Sequence, residues 1–202
     1  KDKKVTIDLS DLAVKQEEYD TSASIFRGTA NKLVELGYKI GGFDAVCDSH
    51  VLIGSGISSS ACFEVMLAEI FNALFNEDKV SPIDRAIIGQ YAENVYFGKP
   101  SGLLDQMAIS VGSFIAIDFK DEKNPVIENY EFSFSDYGYE LVLINTKGDH
   151  ANLSHEYAAV PNEIKEVAHE LGVEVLADSN YEELLNTHKT INIKYLYRQI
   201  FL

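Results

Sequence analysis

The sequence predicts an α+β fold, and three observations predict it. Several segments carry apolar residues at helical spacing, among them Thr21–Leu36 and Ser59–Phe75. Other segments are short and strand-like, such as Val5–Leu9 and Phe114–Phe119. The two kinds mix without the regular strand–helix–strand rhythm of a doubly wound sheet. With 202 residues, 46% of them hydrophobic, the chain can bury a sizeable core in one or two domains.

Taken in order, Val5–Leu9 alternates apolar and polar residues, the pattern of a strand. Thr21–Leu36 reads as a helix with Thr21 or Ser22 as cap and Gly37 as stop, and Ile25, Thr29, Leu33 and Leu36 share a face. Tyr38–Cys47 reads as strand material broken at Gly41-Gly42, and Phe43–Ile53 leads strand-like into a Gly/Ser run. Ser59–Phe75 is apolar on nearly every side, interrupted by Glu64, Glu69 and Asn72, so it predicts a buried helix. Ser81-Pro82-Ile83-Asp84 is a helix start: serine at the cap, proline first, an acid in the first turn. Ile83, Ile87, Tyr91 and Val95 then supply a core stripe, Glu93 lies off it, and Gly98 ends the helix. A short helix is expected at Leu104–Val111, strands at Phe114–Phe119, Tyr130–Phe134 and Glu140–Asn145, and a last helix at Glu156–Leu171 closed by Gly172. Pro161 must then lie in the first turn of that helix or mark a kink.

The formal net charge of −15, with no Lys/Arg cluster, excludes the basic footprint of a nucleic-acid binder. Phosphates would have to be held locally, by backbone N–H groups and a metal. No uninterrupted 18-residue apolar run is present, which argues against a membrane span. The start, Lys1-Asp2-Lys3-Lys4, lacks the apolar stretch of a secretory signal. Cys47 and Cys62 sit in apolar settings without metal-ligand spacing and read as buried, reduced thiols of a cytosolic protein. His150 and His155 have no evident third ligand and read as solvated loop residues. Both ends read as cut, as in a piece of a longer protein.

Residues 54–61, Gly-Ser-Gly-Ile-Ser-Ser-Ser-Ala, are the most informative stretch. Two glycines allow a tight turn and close approach of the backbone to a ligand. Ser58, Ser59 and Ser60 mark the start of the following helix. A helix start offers free N–H groups and the positive end of the dipole, which suits phosphate. No Gly-Lys-Ser/Thr follows, so this is not a Walker loop, and Gly-x-Ser-x-Gly is absent, so it is not a nucleophile elbow. Taken alone, the run also reads as a flexible turn before a buried helix. Downstream, Gly98-Lys99-Pro100-Ser101-Gly102-Leu103-Leu104-Asp105-Gln106 delivers an aspartate to the start of a short helix. The dipole stabilises a carboxylate there as an anion. By itself Asp105 reads as a first-turn helix acid, and Glu93 as a helix surface acid.

Three motifs together carry a resemblance. The run at 54–61 resembles the Gly-Leu-Ser-Ser-Ser-Ala loop of the GHMP small-molecule kinases, with Ile57 in place of Leu. The stretch 98–106 is similar to the galactokinase signature Gly-x-Pro-Cys-Gly-x-Met-Asp-Gln, with Ser101 for Cys and Leu104 for Met. Residues 145–157, ending in Ser154-His155-Glu156-Tyr157, resemble the galactokinase segment whose tyrosine borders the sugar. The resemblance covers nearly the whole chain and corresponds to the middle of a galactokinase. It implies a GHMP kinase fold, made of a ribosomal protein S5 domain 2-like N-terminal part and the start of a C-terminal α+β domain. Residues 1–118 would belong to the first and 119–202 to the second.

The same resemblance implies ATP-dependent phosphorylation of galactose at its anomeric hydroxyl, with ATP and Mg²⁺ as cofactors. Gly54, Ser55, Gly56, Ser58, Ser59 and Ser60 would hold phosphates. Ala92-Glu93-Asn94-Val95-Tyr96-Phe97-Gly98 matches the family's Ala-Glu-x-x-x-x-Gly, so Glu93 and Ser60 would bind Mg²⁺. Asp105 would be the catalytic aspartate, orienting or deprotonating the sugar hydroxyl, with Gly102 and Tyr157 lining the sugar. The family commonly places arginines after this tyrosine, whereas here Ala158-Ala159-Val160-Pro161-Asn162 follow. Two family motifs lie outside the given residues, an N-terminal Gly-Arg-x-Asn-Leu-Ile-Gly-Glu-His and a C-terminal glycine-rich loop. Another GHMP sugar kinase, acting for example on N-acetylgalactosamine, and a non-catalytic sugar/ATP sensor stay open. A cytoplasmic monomer is expected, with a sugar and ATP as partners and neither nucleic acid nor membrane.

Overall fold

The computed structural model describes residues 4–51, 56–121, 125–144, 154–180 and 182, the side chains of 154–158 excepted. It divides into two compact units, Lys1–His150 and Ala151–Leu202. The division expected after residue 118 falls inside the first unit.

Four α-helices build the first unit: α1 (Ser22–Glu35), α2 (Ser59–Phe75), α3 (Pro82–Tyr91) and α4 (Leu104–Val111). The α-helix of α3 passes directly into a π-helical segment, Ala92–Phe97, stopped by Gly98 at φ 84°. Gly37 and Gly112, also at positive φ, follow α1 and α4, a backbone state that costs glycine nothing. Ala30, Leu33, Ala68, Phe71, Val80 and Ile88 form the main core, so α1, α2 and α3 meet around Phe71. Phe26 and Phe43 set their rings edge-on to Phe71, at 5.6 and 5.4 Å between centroids. Edge-to-face pairs of this kind add about 0.5–1.5 kcal/mol beyond their buried area.

The buried face of the α3–π stretch is not the expected stripe. Ile83 and Val95 are exposed, at 37% and 39%, while Ala86, Ile88, Gly89, Ala92, Glu93 and Tyr96 are buried. Packing distance explains the exchange. A Cβ on Gly28 of α1 would stand 2.9 Å from the Ala92 Cα and 2.8 Å from the Tyr96 ring. At that contact the backbones approach too closely for a larger side chain at Gly28 or Ala92, which turns the Ala92 and Tyr96 face inward and Val95 outward. Leu36, assigned to the core face of α1, is likewise 41% exposed.

Arg27 fastens the preceding residues to α1. It is buried, donates from Nε and Nη2 to the two Glu18 oxygens at 2.8 Å each, and donates from Nη1 to the carbonyls of Asp8 and Asp11. Tyr96 adds a bond from its hydroxyl to the Leu12 carbonyl at 2.6 Å.

The described strands are β1 (Phe114–Asp118) and β2 (Val126–Tyr130), antiparallel with Phe114 opposite Tyr130. The strands expected at Val5–Leu9, at Tyr38–Cys47 and over the described part of Glu140–Asn145 are not formed, nor is the lead-in from Phe43. A strand needs a second strand to pair its N–H and C=O groups along its length, and these segments have none among the described residues; Lys39, for example, bonds the Asn76 side chain instead. The strand expected at Tyr130–Phe134 forms earlier, at Val126–Tyr130. Phe132 and Phe134 join Phe114 and Tyr137 in an aromatic cluster instead. Cys47 is exposed and Cys62 half-buried, so the buried setting expected for both is corrected, although both are free thiols.

In the second unit, α5 (Ser154–Glu170) runs through Pro161, which lies in its interior beyond the first turn. Gly172 at φ 72° ends the helix, with the Val173 N–H bonded to the Ala168 carbonyl at 3.0 Å. Among the described residues, no helix is long and apolar enough to cross a membrane.

Candidate functional site

The start of α2 is left open by its own sequence. Ser58, at the N-cap, has φ 57° and ψ 41°, the left-handed region, and its side chain makes no capping bond. Serine N-caps are normally extended, and a left-handed non-glycine residue costs on the order of 1–3 kcal/mol. The first backbone bond of the helix runs from the Cys62 N–H to the Ser58 carbonyl, at 3.0 Å. No acid stands in the first turn. Gly56 is exposed and at positive φ, and Ser60 is exposed. The Ser58, Ser59 and Ser60 hydroxyls make no hydrogen bond to a described residue. What remains is a set of donors at the positive end of a helix dipole. Gly54 and Ser55 lie outside the described residues.

The second strand of the site is the loop between the π segment and α4. Asn94 fixes it by accepting from the Ser101 N–H at 2.6 Å and donating from Nδ2 to the Ser101 carbonyl at 3.2 Å. Gln90 donates to the same carbonyl at 3.2 Å. Ser101, which stands where the resembling signature has cysteine, is therefore a backbone anchor. Beyond it, Gly102 is exposed, with open space where a Cβ would stand. Asp105 lies in the first turn of α4, exposed and without a hydrogen bond or ion pair to a described residue.

Beneath these two open ends lies a buried polar cluster. Glu93 is 2% exposed, Glu64 and Gln106 1% each. Gln106 Nε2 donates to Glu64 Oε2 at 2.9 Å and to Glu93 Oε2 at 3.0 Å. Lys99 Nζ donates to Glu93 Oε1 at 2.8 Å. Burial, reinforced by the nearby Glu93 charge, pushes the Glu64 carboxyl up to about 8. Glu64 therefore carries its proton at neutral pH, and the cluster avoids confronting two buried carboxylates with a single lysine.

The structure thus joins three of the expected parts. Glu64 lies one turn beyond Ser60 on the same face of α2, about 6 Å along the axis. Gln106, bonded to Glu64, adjoins Asp105, and Glu93 meets the same amide. The first turn of α4 is thereby tied to the second turn of α2. Tyr157 is in α5, in the other unit, and its side chain is not among those described. Glu93 is not a surface acid.

As a magnesium ligand Glu93 does not fit its surroundings. Mg²⁺ takes several oxygens in near-octahedral array. Each Glu93 oxygen already accepts a protein hydrogen bond, one of them from an ammonium group that repels a dication. Among the described residues no group of three or more His, Cys, Asp or Glu side chains is placed to hold a metal. Ser60 Oγ, exposed and unbonded, has suitable chemistry. Sequence reasoning missed Glu64, Lys99 and the bridging role of Gln106. The signal for Glu64 was present, as a charge in a helix otherwise apolar all round.

Residues 24–113 match the model of the GHMP kinases N terminal domain. A galactokinase of Clostridium perfringens strain 13 is 38% identical over 109 residues, 54% of this chain and 27% of the relative. A galactokinase of Pyrococcus furiosus is 36% identical over 106 residues, 52% of this chain and 30% of the relative. A galactokinase of Limosilactobacillus reuteri is 27% identical over 168 residues, 83% of this chain and 42% of the relative. The chain spans well under half the length of these relatives. The Gly/Ser loop, the π segment with Glu93 and the Asp105 turn all fall within residues 24–113, a stretch similar to the N-terminal domain of GHMP kinases, in a chain similar to galactokinases.

Proposed function

We propose that the protein of which this chain is part transfers the γ-phosphoryl group of ATP to the anomeric hydroxyl of galactose. The observation that supports the reading is the Gln106–Glu64 bond, which ties the first turn of α4, with its exposed Asp105, to the serine-led helix α2. One end of the pair suits phosphate, the other a hydroxyl nucleophile. Phosphoryl transfer asks mainly for positioning and for stabilisation of charge on the moving group.

In this reading the N–H groups and hydroxyls at Gly54, Ser55, Gly56, Ser58, Ser59 and Ser60 hold the phosphates. Asp105, without a partner among the described residues, orients the sugar hydroxyl or accepts its proton. Gly102, with no side chain, leaves room for the sugar beside Asp105, while Tyr157 is assigned to the sugar by its resemblance to the galactokinase segment alone. Ser60 Oγ would be the protein's contact to magnesium, which would neutralise charge on the ATP phosphates. The proposed domain division places residues 1–118 in the N-terminal domain and 119–202 in the C-terminal one. Free thiols and the lack of a basic cluster support a cytosolic monomer that binds a sugar and ATP rather than nucleic acid or membrane.

ADP release is the test, measured with Mg-ATP and galactose, N-acetylgalactosamine or no sugar. Release that depends on galactose is expected. Release with N-acetylgalactosamine alone reassigns the sugar. Nucleotide binding without release under any condition overturns the kinase reading in favour of a sensor.

A further inference from the structure

Gln106 follows Asp105 in the chain, yet one is exposed and the other is 1% exposed. An amide nitrogen has two protons, and both of those on Gln106 are used, one on Glu64 and one on Glu93. Those acids are 42 and 13 residues away, on α2 and in the π segment. Lys99 closes the other oxygen of Glu93. The fold leaves room for this arrangement: a Cβ on Gly89 would stand 3.1 Å from Glu64 Cβ and 3.4 Å from Gln106 Cγ. The cluster is not optimised for stability, since Glu64 Oε1 and Gln106 Oε1 are buried without a partner.

We propose that Gln106 is a positioning residue whose amide, gripped by Glu64 and Glu93, sets the Asp105 turn against α2, and that Glu93 serves the site through this grip and not as a metal ligand. The residue type follows from the geometry. A neutral group with two protons on one nitrogen, at the reach of a glutamine, satisfies both acids. Leucine would leave Glu64 without its donor and Glu93 with Lys99 alone, glutamate would add a third acid, and asparagine is one methylene too short to reach both.

The kinetic part rests on the phosphoryl-transfer reading, and the rest does not. Three variants of the full chain test it: Gln106→Met removes both donors at similar volume, Gln106→Asn shortens the reach, and Glu64→Gln keeps an acceptor for the same N–H. Amide hydrogen exchange across residues 104–108 is expected to quicken at least tenfold in Gln106→Met, less in Gln106→Asn, and to stay within twofold in Glu64→Gln. With galactose and Mg-ATP, kcat should fall at least tenfold in Gln106→Met while KM for ATP stays within twofold, and Glu64→Gln should retain at least half of the kcat. Exchange unchanged in both Gln106 variants overturns the proposal whatever the melting temperatures, as does a Glu64→Gln variant as impaired as Gln106→Met. Mn²⁺ titration in the presence of ATP, read by electron paramagnetic resonance, tests the role of Glu93. Affinity within twofold in Glu93→Gln is expected, and a tenfold loss restores Glu93 as a ligand. Absence of turnover in the unsubstituted chain counts against phosphoryl transfer, and the exchange arm then decides the positioning by itself.

Discussion

Two helices of this domain begin with serine, and they begin in opposite ways. At α3, Ser81 is extended, its Oγ accepts from the Asp84 N–H at 3.0 Å, proline stands at the first position, and Asp84 in turn accepts from the Tyr38 hydroxyl at 2.6 Å. The Ser81 and Asp84 side chains both have partners within the fold. At α2, Ser58 is left-handed, caps nothing, and no acid follows. The same residue type caps one helix and leaves the other uncapped by its side chain. The α4 start shares the open character, because Asp105 lacks the kind of partner that Asp84 has. A helix start that its own sequence declines to close, at a cost in backbone strain, is a stronger pointer to ligand binding than serine content alone.

The largest effect should come from the open acid. Asp105→Ala is expected to lower kcat by about 10²–10⁴-fold while ATP affinity stays within twofold, measured by ADP release and by nucleotide titration. Equal loss of both would erase the distinction between Asp105 and a helix-capping acid such as Asp84.

Next comes the buried acid beneath it. Glu64 titrates near 8 in the fold against 4.5 in the unfolded chain. Between those values the folded state holds a proton that the unfolded state has lost, so stability is full below about pH 4.5 and falls as pH rises towards 8. At about 1.4 kcal/mol per unit the loss is on the order of a few kcal/mol. Glu64→Gln has no proton to lose, and urea unfolding at pH 5 and pH 9 should show a flatter dependence than the parent chain. An unchanged slope would mean that Glu64 is ionised in the fold.

Two smaller substitutions set the helix starts directly against each other. Ser60→Asp gives α2 the first-turn acid it lacks. It should stabilise the unliganded protein by about 0.3–1 kcal/mol and weaken ATP at least tenfold. Ser81→Ala removes the cap that α3 has. It should cost about 1 kcal/mol in thermal unfolding and leave ATP affinity unchanged. If Ser60→Asp binds ATP as before, the α2 start is not the phosphate site.

What could be read from sequence follows which interactions are local. The limits of α2 and α4 were read correctly, because helix bonds close within a few residues and serine, glycine and the apolar run mark the ends. The loop and the Asp105 turn were legible as motifs. The inner face of the α3–π stretch was not, because the hydrophobic period pointed to Ile83 and Val95 while close packing selected Gly89, Ala92 and Glu93. The partner of Glu64 was hidden as well: its charge stands out in an apolar helix, but nothing near residue 64 or residue 106 says that the two bond. The strand at Val5–Leu9 failed for the converse reason: alternation describes a strand's faces, not whether a partner is present.

The π segment carries a lesson about length. A π turn is how a helix absorbs one residue more than its period allows. In this chain the surplus falls at Ala92–Phe97, and it sets the phase in which Glu93, Asn94 and Tyr96 leave the backbone. Removing one residue there, Val95 for instance, would let the α period run on and rotate everything after it by about 100°. Asn94 would lose its line to Ser101, and the loop that carries Asp105 would be hung from a different side of the helix. The site is therefore written in the number of residues between Gly89 and Gly98 as much as in their identity, and a single-codon deletion in this helix would erase it where most point substitutions would not.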